Sequence, residues 1–485
     1  MELKDLTTTA ELTRKLRTAQ TRHEKNPYDL SNVSEICQTL IALKLEEKLL
    51  PWAEHALALN PNAPYFVALR ALALNLLGRH AEAADAWTRD PSLLTEPAVY
   101  LLRRGYSLMM AGEFTRAITL LDEAGRMAAS GNAGFLAASK HFLGEAMLKT
   151  GDSRGFTHWE RRNGDSSSTG NYRPAGIPTW TSETGLNGQR VLITHQLGFG
   201  DNFLLAACVD DWLDAGASVM LTCDPQSHAL MQASLPHCEV VSARRPTQLH
   251  EILPDEVQSH VETFAPQLHA TLLHLPLLKS GATISSGYRF QPYIRPPLSK
   301  QQIAAEWALH LRAQHPWKKL VGLFWDCDQR HRPELGSIAR CWATRRSLPL
   351  DAVNWLAENP AVANRVHFVN LHHPLVEPLA GAPARNVSRY LPGIQHFDDT
   401  AACIEQLDAV IAVDSGVANL AAMMGTPTCV PVNTSGDWRW GSEGTTSPWI
   451  NGVTVLRQTR EGDWDPVVRD IASWLQATSS PRAVS

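Results

Sequence analysis

The feature that most constrains this chain is an internal period of 34 residues near its N-terminus. Ala71 and Gly105 stand 34 apart, as do Gly78 and Gly112, Ala83 and Ala117, and Trp87 and Leu121. A period of that length marks a helix-turn-helix unit that cannot bury its apolar face alone and must stack on copies of itself. Small residues at 71 and 105 let two helices approach closely. Gly78 and Gly112 end a helix, and the large residue at 87 or 121 fills the gap between units. The run Ala56-Leu57-Ala58-Leu59-Asn60-Pro61 closes a preceding unit in the same register. Gly144 and Gly151 keep the seven-residue glycine spacing after a five-residue insertion, and Pro91 arrives four residues early, which shortens one second helix.

These positions resemble the tetratricopeptide (TPR) pattern, over about residues 30 to 165. The resemblance implies a concave surface that holds a protein or peptide. A platform for packing or self-association, and so a homo-oligomer, is the alternative.

A chain of 485 residues is long enough for roughly three domains. The formal net charge of -5 argues against a general nucleic-acid binder. No run of eighteen apolar residues occurs, so no membrane span is expected, and the polar stretch Met1 to Lys25 does not read as a signal peptide. The eight cysteines are scattered without a close pair, which fits free thiols in a cytoplasmic protein rather than a metal site or a disulfide framework. Fifteen Trp residues supply core and stacking surface alike.

The stretch Arg161 to Glu183 is rich in Gly, Ser, Thr and Pro and reads as a linker or strap, and from Gln189 the pattern changes. Arg190 to His195 is a short β-branched run, followed by Gly198-Phe199-Gly200-Asp201, a helix-like stretch to Ala215, and a second strand over Ser218 to Thr222. Strand, glycine turn, helix and strand make a βαβ unit of a parallel sheet. A second series starts at Lys319, with strands expected at 320–325, 366–371, 409–413 and 428–432, and helices at 350–359, 400–407, 417–424 and 465–477. The organisation expected is therefore an all-α repeat domain over 1–165, a linker over 166–188, and two Rossmann-like α/β domains over 189–298 and 299–485. Ligands of open parallel sheets sit beyond the carboxyl ends of the strands.

Four places in these loops could carry chemistry. Gly198 and Gly200 let backbone approach a ligand, and Asp201 at the next helix start is either a general base or an ordinary cap. Asp414-Ser415-Gly416-Val417 opens a helix whose first amides suit a diphosphate, while Asp414 suits sugar hydroxyls; a plain cap is again the alternative. His331, Arg332, Arg340, Arg345 and Arg346, with Ser347, form a basic stretch that either neutralises a leaving diphosphate or is solvated. Asp437-Trp438-Arg439-Trp440 and Trp449 offer rings for stacking on a base or sugar, or for packing.

In order along the chain, Gly198-x-Gly200-Asp201, Val321-Gly322-Leu323-Phe324-Trp325, Arg346-Ser347-Leu348-Pro349, Asp399-Thr400-Ala401-Ala402, Val413-Asp414-Ser415-Gly416-Val417-Ala418, Asp437-Trp438-Arg439-Trp440 and Ser447-Pro448-Trp449 make a set far more specific than any member. The set resembles bacterial TPR proteins whose C-terminal module is similar to the heptosyltransferases of glycosyltransferase family 9. The resemblance implies a GT-B fold and inverting transfer from a nucleotide-sugar, with no metal and no separate cofactor. It places the base at Asp201 and the donor at Asp414, Ser415, Gly416, Val417, Arg346, Ser347 and Trp438. With repeats in front, the acceptor expected is a protein hydroxyl, for example on a bacterial surface protein. The chain departs from many relatives at Asn419, where they carry His, and in a longer stretch between Asp326 and Arg345. A scaffold that has lost transfer activity is the reading from another class.

Overall fold

The computed structural model describes residues 3–87, 97–128, 133–160, 170–246, 249–280, 288–327, 336–375, 381 and 386–477. Pro91, His331, Arg332 and the 161–169 part of the strap lie outside the described residues. The chain divides into two compact units: Met1–Ser139 with Cys327–Arg345, and Lys140–Asp326 with Arg346–Ser485.

The first unit is helical. Helices begin at Leu30, Pro64 and Pro97, and their partners at Leu50, His80 and Phe114. The 34-residue period has a packing cause. A Cβ at Gly105 would lie 2.8 Å from Leu121 Cγ, so only glycine lets those two helices meet. Ala71, Ala83, Ala117 and Leu121 are all fully buried. Gly78 and Gly112 take φ of 77° and 85° just past a helix end, where a Cβ would be strained. A polar rung joins successive pairs: Asn75 Nδ2 donates to Ser107 Oγ at 2.9 Å, and Asn75 Oδ1 meets His80 Nδ1 at 2.9 Å.

The second unit holds two larger parallel sheets. The first contains β2 (Arg190–Thr194), β3 (Ser218–Cys223), β4 (Glu239–Ser242) and β6 (Leu268–Thr271), in the order β4-β3-β2-β6. The second contains β7 (Lys319–Phe324), β8 (Val366–Asn370), β9 (Val387–Arg389), β10 (Ala409–Ala412), β11 (Thr428–Val432) and β12 (Val453–Arg457), in the order β12-β11-β10-β7-β8-β9. A two-stranded sheet pairs β1 (Asn171–Tyr172) with β5 (Leu249–His250). The inner strands are buried along most of their length because a parallel sheet is covered on both faces. In both larger sheets the chain starts centrally, winds outward and returns to the other side, so each has a switch point, between β2 and β6 and between β7 and β10. Strands β7 and β10 pair with Ala412 opposite Phe324, which brings their carboxyl ends level.

The expected strands near 320, 366, 409 and 428 are present, as is the last helix at Asp465–Ala477. Strands β4, β6, β9 and β12 carry few local signals, and sequence reasoning did not resolve them. The expected helix to Ala215 is broken into Phe199–Leu205, a tight turn at Ala206–Cys208, and Val209–Asp214.

The helical part was expected to run to residue 165, but the compact units divide after Ser139. The reason lies in the core. Leu148, Phe156 and Trp159 are buried with Phe290, Trp438 and Trp449 inside the second unit. The Phe156 and Trp449 rings are 5.2 Å apart, and those of Trp159 and Trp438 5.3 Å. Among the described residues, no helix is long and apolar enough to cross a membrane.

This packing makes Trp159 part of the second unit's core. Trp159→Ala should lower the unfolding free energy of that unit's transition by about 3–5 kcal/mol in urea titrations. An unchanged midpoint would exclude Trp159 from the core.

Candidate active site

After β2 the backbone turns sharply. Leu197 takes φ of 65°, a left-handed conformation that costs a branched residue energy and is held here by its surroundings. Gly198 follows, and the Phe199–Leu205 helix begins. Its third residue, Asp201, accepts the Gly198 amide at 3.1 Å, so the carboxylate caps its own helix. Gly200 is needed for a different reason. A Cβ there would lie 2.8 Å from Asn419 Nδ2, on the Gly416–Met423 helix of the other sheet. Gly416 lies on the facing turn, where a Cβ would make an ordinary contact 3.5 Å from Phe199 Cβ. The two glycine turns singled out in the sequence therefore pack face to face.

On the second sheet, Asp414 follows β10 at the switch point. Ser415 caps the helix, its hydroxyl accepting the Ala418 amide at 3.3 Å, and the first-turn amides of Gly416 and Val417 have no carbonyl partner within that helix. Asp414 is buried. Its Oδ1 accepts the Trp440 indole N–H at 2.8 Å, and its Oδ2 lies 3.7 Å from Arg346 Nη1. Asn419 Nδ2 donates to the Ser415 carbonyl at 2.9 Å. Asp399, from the Asp399-Thr400-Ala401-Ala402 motif, plays a structural part. Burial alone would raise its carboxyl, but Lys300 at 2.6 Å and the Gln395 and His396 amides hold it below the usual range.

A single loop after β11 joins these parts. Arg439 donates to Asp201 across the two sheets and to Asp437 within its own turn. Asp437 also accepts the Arg439 amide at 3.1 Å, capping the turn Trp438–Trp440. Burial first, then the Asp414 and Glu145 carboxylates, push Asp437 up to about 7. Beneath the loop, Lys149 donates to the Ser435 carbonyl at 2.6 Å and to that of Gly436, and Arg457 donates to the Trp440 carbonyl at 2.6 Å.

The structure thus gathers Gly198, Gly200, Asp201, Asp414, Ser415, Gly416, Val417 and Arg346 into one region. Two expectations need correction. Trp438 is 2% exposed, its ring walled in by Phe156, Trp159, Trp449 and the Arg439 guanidinium, so it packs and cannot stack on a donor. Ser347 is buried. Arg340 and Arg345 belong to the helical unit, where Arg340 and Ser337 both donate to the Lys44 carbonyl at 2.7 Å. Sequence reasoning missed Arg439, Asp437 and Lys149 as site residues, although the first two stood inside a motif it named. No group of three or more His, Cys, Asp or Glu placed to hold a metal occurs among the described residues. In the helical unit, a recess of about 310 Å³ is lined by Leu57, Ala58, Val67 and Ala86 together with the ion pair Glu54–Arg70 at 3.6 Å.

No family model matches the sequence. Protein FlbA of Caulobacter vibrioides is 23% identical over 463 residues, covering 93% of this chain and 73% of that protein. Among solved structures, the chain is similar to a glycosyl transferase family 9 protein from Veillonella parvula, at 14% identity and TM-score 0.39, over 62% of this chain and 92% of that one. It is also similar to an O-GlcNAc transferase mutant from Thermobaculum terrenum, at 14% identity and TM-score 0.28, over 98% of this chain and 91% of that one.

The Asp201–Arg439 pair should be energetically coupled. Arg439→Met alone should cost about 3 kcal/mol, because it strands the Asp201 carboxylate, and Asp201→Asn should cost less, because Asp437 still pairs with Arg439; the double variant should lose less than the sum by about 1 kcal/mol or more. Additive losses in chemical denaturation would deny the pair. A second outcome concerns pH. Because Asp437 binds its proton more tightly folded than unfolded, its contribution is fully present below about pH 4 and is lost as pH rises to about 7. Asp437→Asn should flatten that part of the stability curve, and an unaltered slope would refute the assignment.

Proposed function

We propose that this chain is a glycosyltransferase of the GT-B type, moving a sugar from a nucleotide-sugar to an acceptor hydroxyl with inversion. The observation that carries the reading is the pairing of two helix starts. One bears the carboxylate of Asp201 and the other the amides of Gly416 and Val417, and one loop ties Asp201 and Asp414 through Arg439 and Trp440. A base on one side and an anion-binding helix start on the other is the layout a displacement at an anomeric carbon requires.

In the proposed step, Asp201 takes the acceptor's hydroxyl proton as the oxygen bonds to the anomeric carbon. The bond from that carbon to the diphosphate oxygen breaks on the opposite face, and the nucleoside diphosphate leaves with the electron pair. The Gly416 and Val417 amides and Arg346 stabilise its charge. Asp414, aligned by Trp440, receives hydrogen bonds from sugar hydroxyls. Arg439 holds the Asp201 carboxylate in place until an acceptor arrives.

The helical unit we read as TPR-like repeats that present a protein or peptide hydroxyl. The 34-residue register and the recess beside Glu54 and Arg70, where a peptide's own polar groups would find partners, support this. A scaffold without transfer activity is the competing reading, favoured by the Arg439 contact that occupies Asp201.

Thermal stability measured against a panel of ADP-, UDP-, GDP- and CMP-sugars separates the two. A donor at a hundred times its dissociation constant should add about 2.7 kcal/mol, and no shift with any of them would favour the scaffold. With the donor found, Asp201→Asn should lower transfer by about 10²–10⁴-fold and leave the donor shift in place. Full activity in that variant would remove Asp201 from the role of base.

A further inference from the structure

Lys149 is the least expected charge in the second unit. It is 3% exposed, at the end of the Ala133–Lys149 helix, in a stretch the sequence assigns to the repeats. Lysine is almost never buried without partners, and burial disfavours its charged form. Its partners here are two main-chain carbonyls, of Ser435 and Gly436. The Glu145 and Asp437 carboxylates act on it in the opposite sense to burial, favouring the ammonium.

The two carbonyls belong to the loop whose next residues cap, bridge and align the site: Asp437, then Arg439 to Asp201, then Trp440 to Asp414. The loop has little freedom elsewhere. A Cβ at Gly436 would come within 2.9 Å of Arg457 Nη1, and Arg457 also holds the Trp440 carbonyl. The helix end that carries Lys149 is fastened to the same region, since the Leu148 carbonyl accepts the Trp449 indole N–H at 3.1 Å. For stability alone an apolar side chain would fill this space without losing hydration of a charge. A buried ammonium does what an apolar chain cannot, which is to fix two carbonyls in direction.

We infer that Lys149 is a positioning residue for the proposed transfer: it sets the Ser435–Trp440 loop and, through Arg439, the orientation of Asp201. Residues Lys140–Trp159 then belong to the catalytic unit rather than to an acceptor-binding appendage. The inference rests on the transferase reading for its kinetic consequence and on the loop geometry alone for its structural one.

The test uses the full chain carrying Lys149→Met, an uncharged side chain of similar length. Transfer is assayed with the nucleotide-sugar that stabilises the wild type, and amide hydrogen exchange is followed by mass spectrometry without ligand. The expected result is a kcat lower by about 10–100-fold per folded molecule with donor KM within about threefold. Exchange should be faster in both 433–441 and 198–205. Should Lys149→Met fail to fold, the shorter Lys149→Gln gives the same readings. Unchanged kcat, or faster exchange confined to 433–441, overturns the inference, because a merely structural lysine would lower melting temperature without reaching Asp201. If the wild type transfers no sugar from any donor, the proposed function falls, while exchange at 198–205 still decides whether Lys149 orients that turn.

Discussion

The carboxylates of Asp201, Asp414 and Asp437 and the cations of Lys149, Arg346, Arg439 and Arg457 gather around one loop, and the requirement that each find a partner shapes the second unit. The Arg439–Asp201 contact is the ionic link between the two larger sheets, alongside the Phe397 amide on the Gln226 carbonyl and the Phe199–Phe397 ring contact. It is short-ranged, so the helix starts that flank it must lie close together. That closeness is helped by Gly200, where a Cβ would lie 2.8 Å from Asn419 Nδ2 on the facing turn. The left-handed Leu197 then follows as a local cost of bringing the chain off β2 at the angle that turn requires.

A charged loop of this kind needs a rigid floor, and aromatic packing supplies it. Trp438, Trp449, Phe156 and Trp159 meet edge to face, an arrangement favoured by the ring quadrupoles, while the indole N–H of Trp449 finds the Leu148 carbonyl. Half of that cluster comes from the short helix Gly155–Trp159. The segment after residue 140 is thus held by the core of the second unit, and Lys149 is carried into the loop by the same packing. Apolar burial supplies the stability, and the ionic contacts supply direction.

The contrast between what could be read and what could not follows from range. Strands such as Leu320–Trp325 and the turns at Gly198 and Asp414 announce themselves within a few residues, through apolar runs, glycines and helix caps. Arg439 and Asp201 lie 238 residues apart, and nothing local says that they meet. The Trp-rich loop was legible as important but not as buried, because a ring that stacks on a ligand and one that packs on another ring leave the same letter. The repeat period misled for a physical reason too. A Cβ at Gly144 would lie 2.5 Å from the Trp159 amide nitrogen, so the glycine serves a close helix-helix contact, as Gly105 does. The spacing reports how two helices pack, and it is silent on which core they share.

Arg439 is shared by two carboxylates, and this sharing bears on how a base could work in such a place. A carboxylate that takes a proton beside a cation leaves that cation undercompensated, which is costly where water is scarce. Asp437 contacts the same guanidinium from the other side. When Asp201 accepts a proton in the proposed step, Asp437 can carry the ion pair alone with no backbone movement. Burial and the neighbouring Asp414 and Glu145 carboxylates raise Asp437, and the Arg439 guanidinium beside it favours its ionised form. The loop is therefore arranged so that one unit of charge can shift between two carboxylates about a fixed arginine, and the fixing is done from below by Lys149 and Arg457.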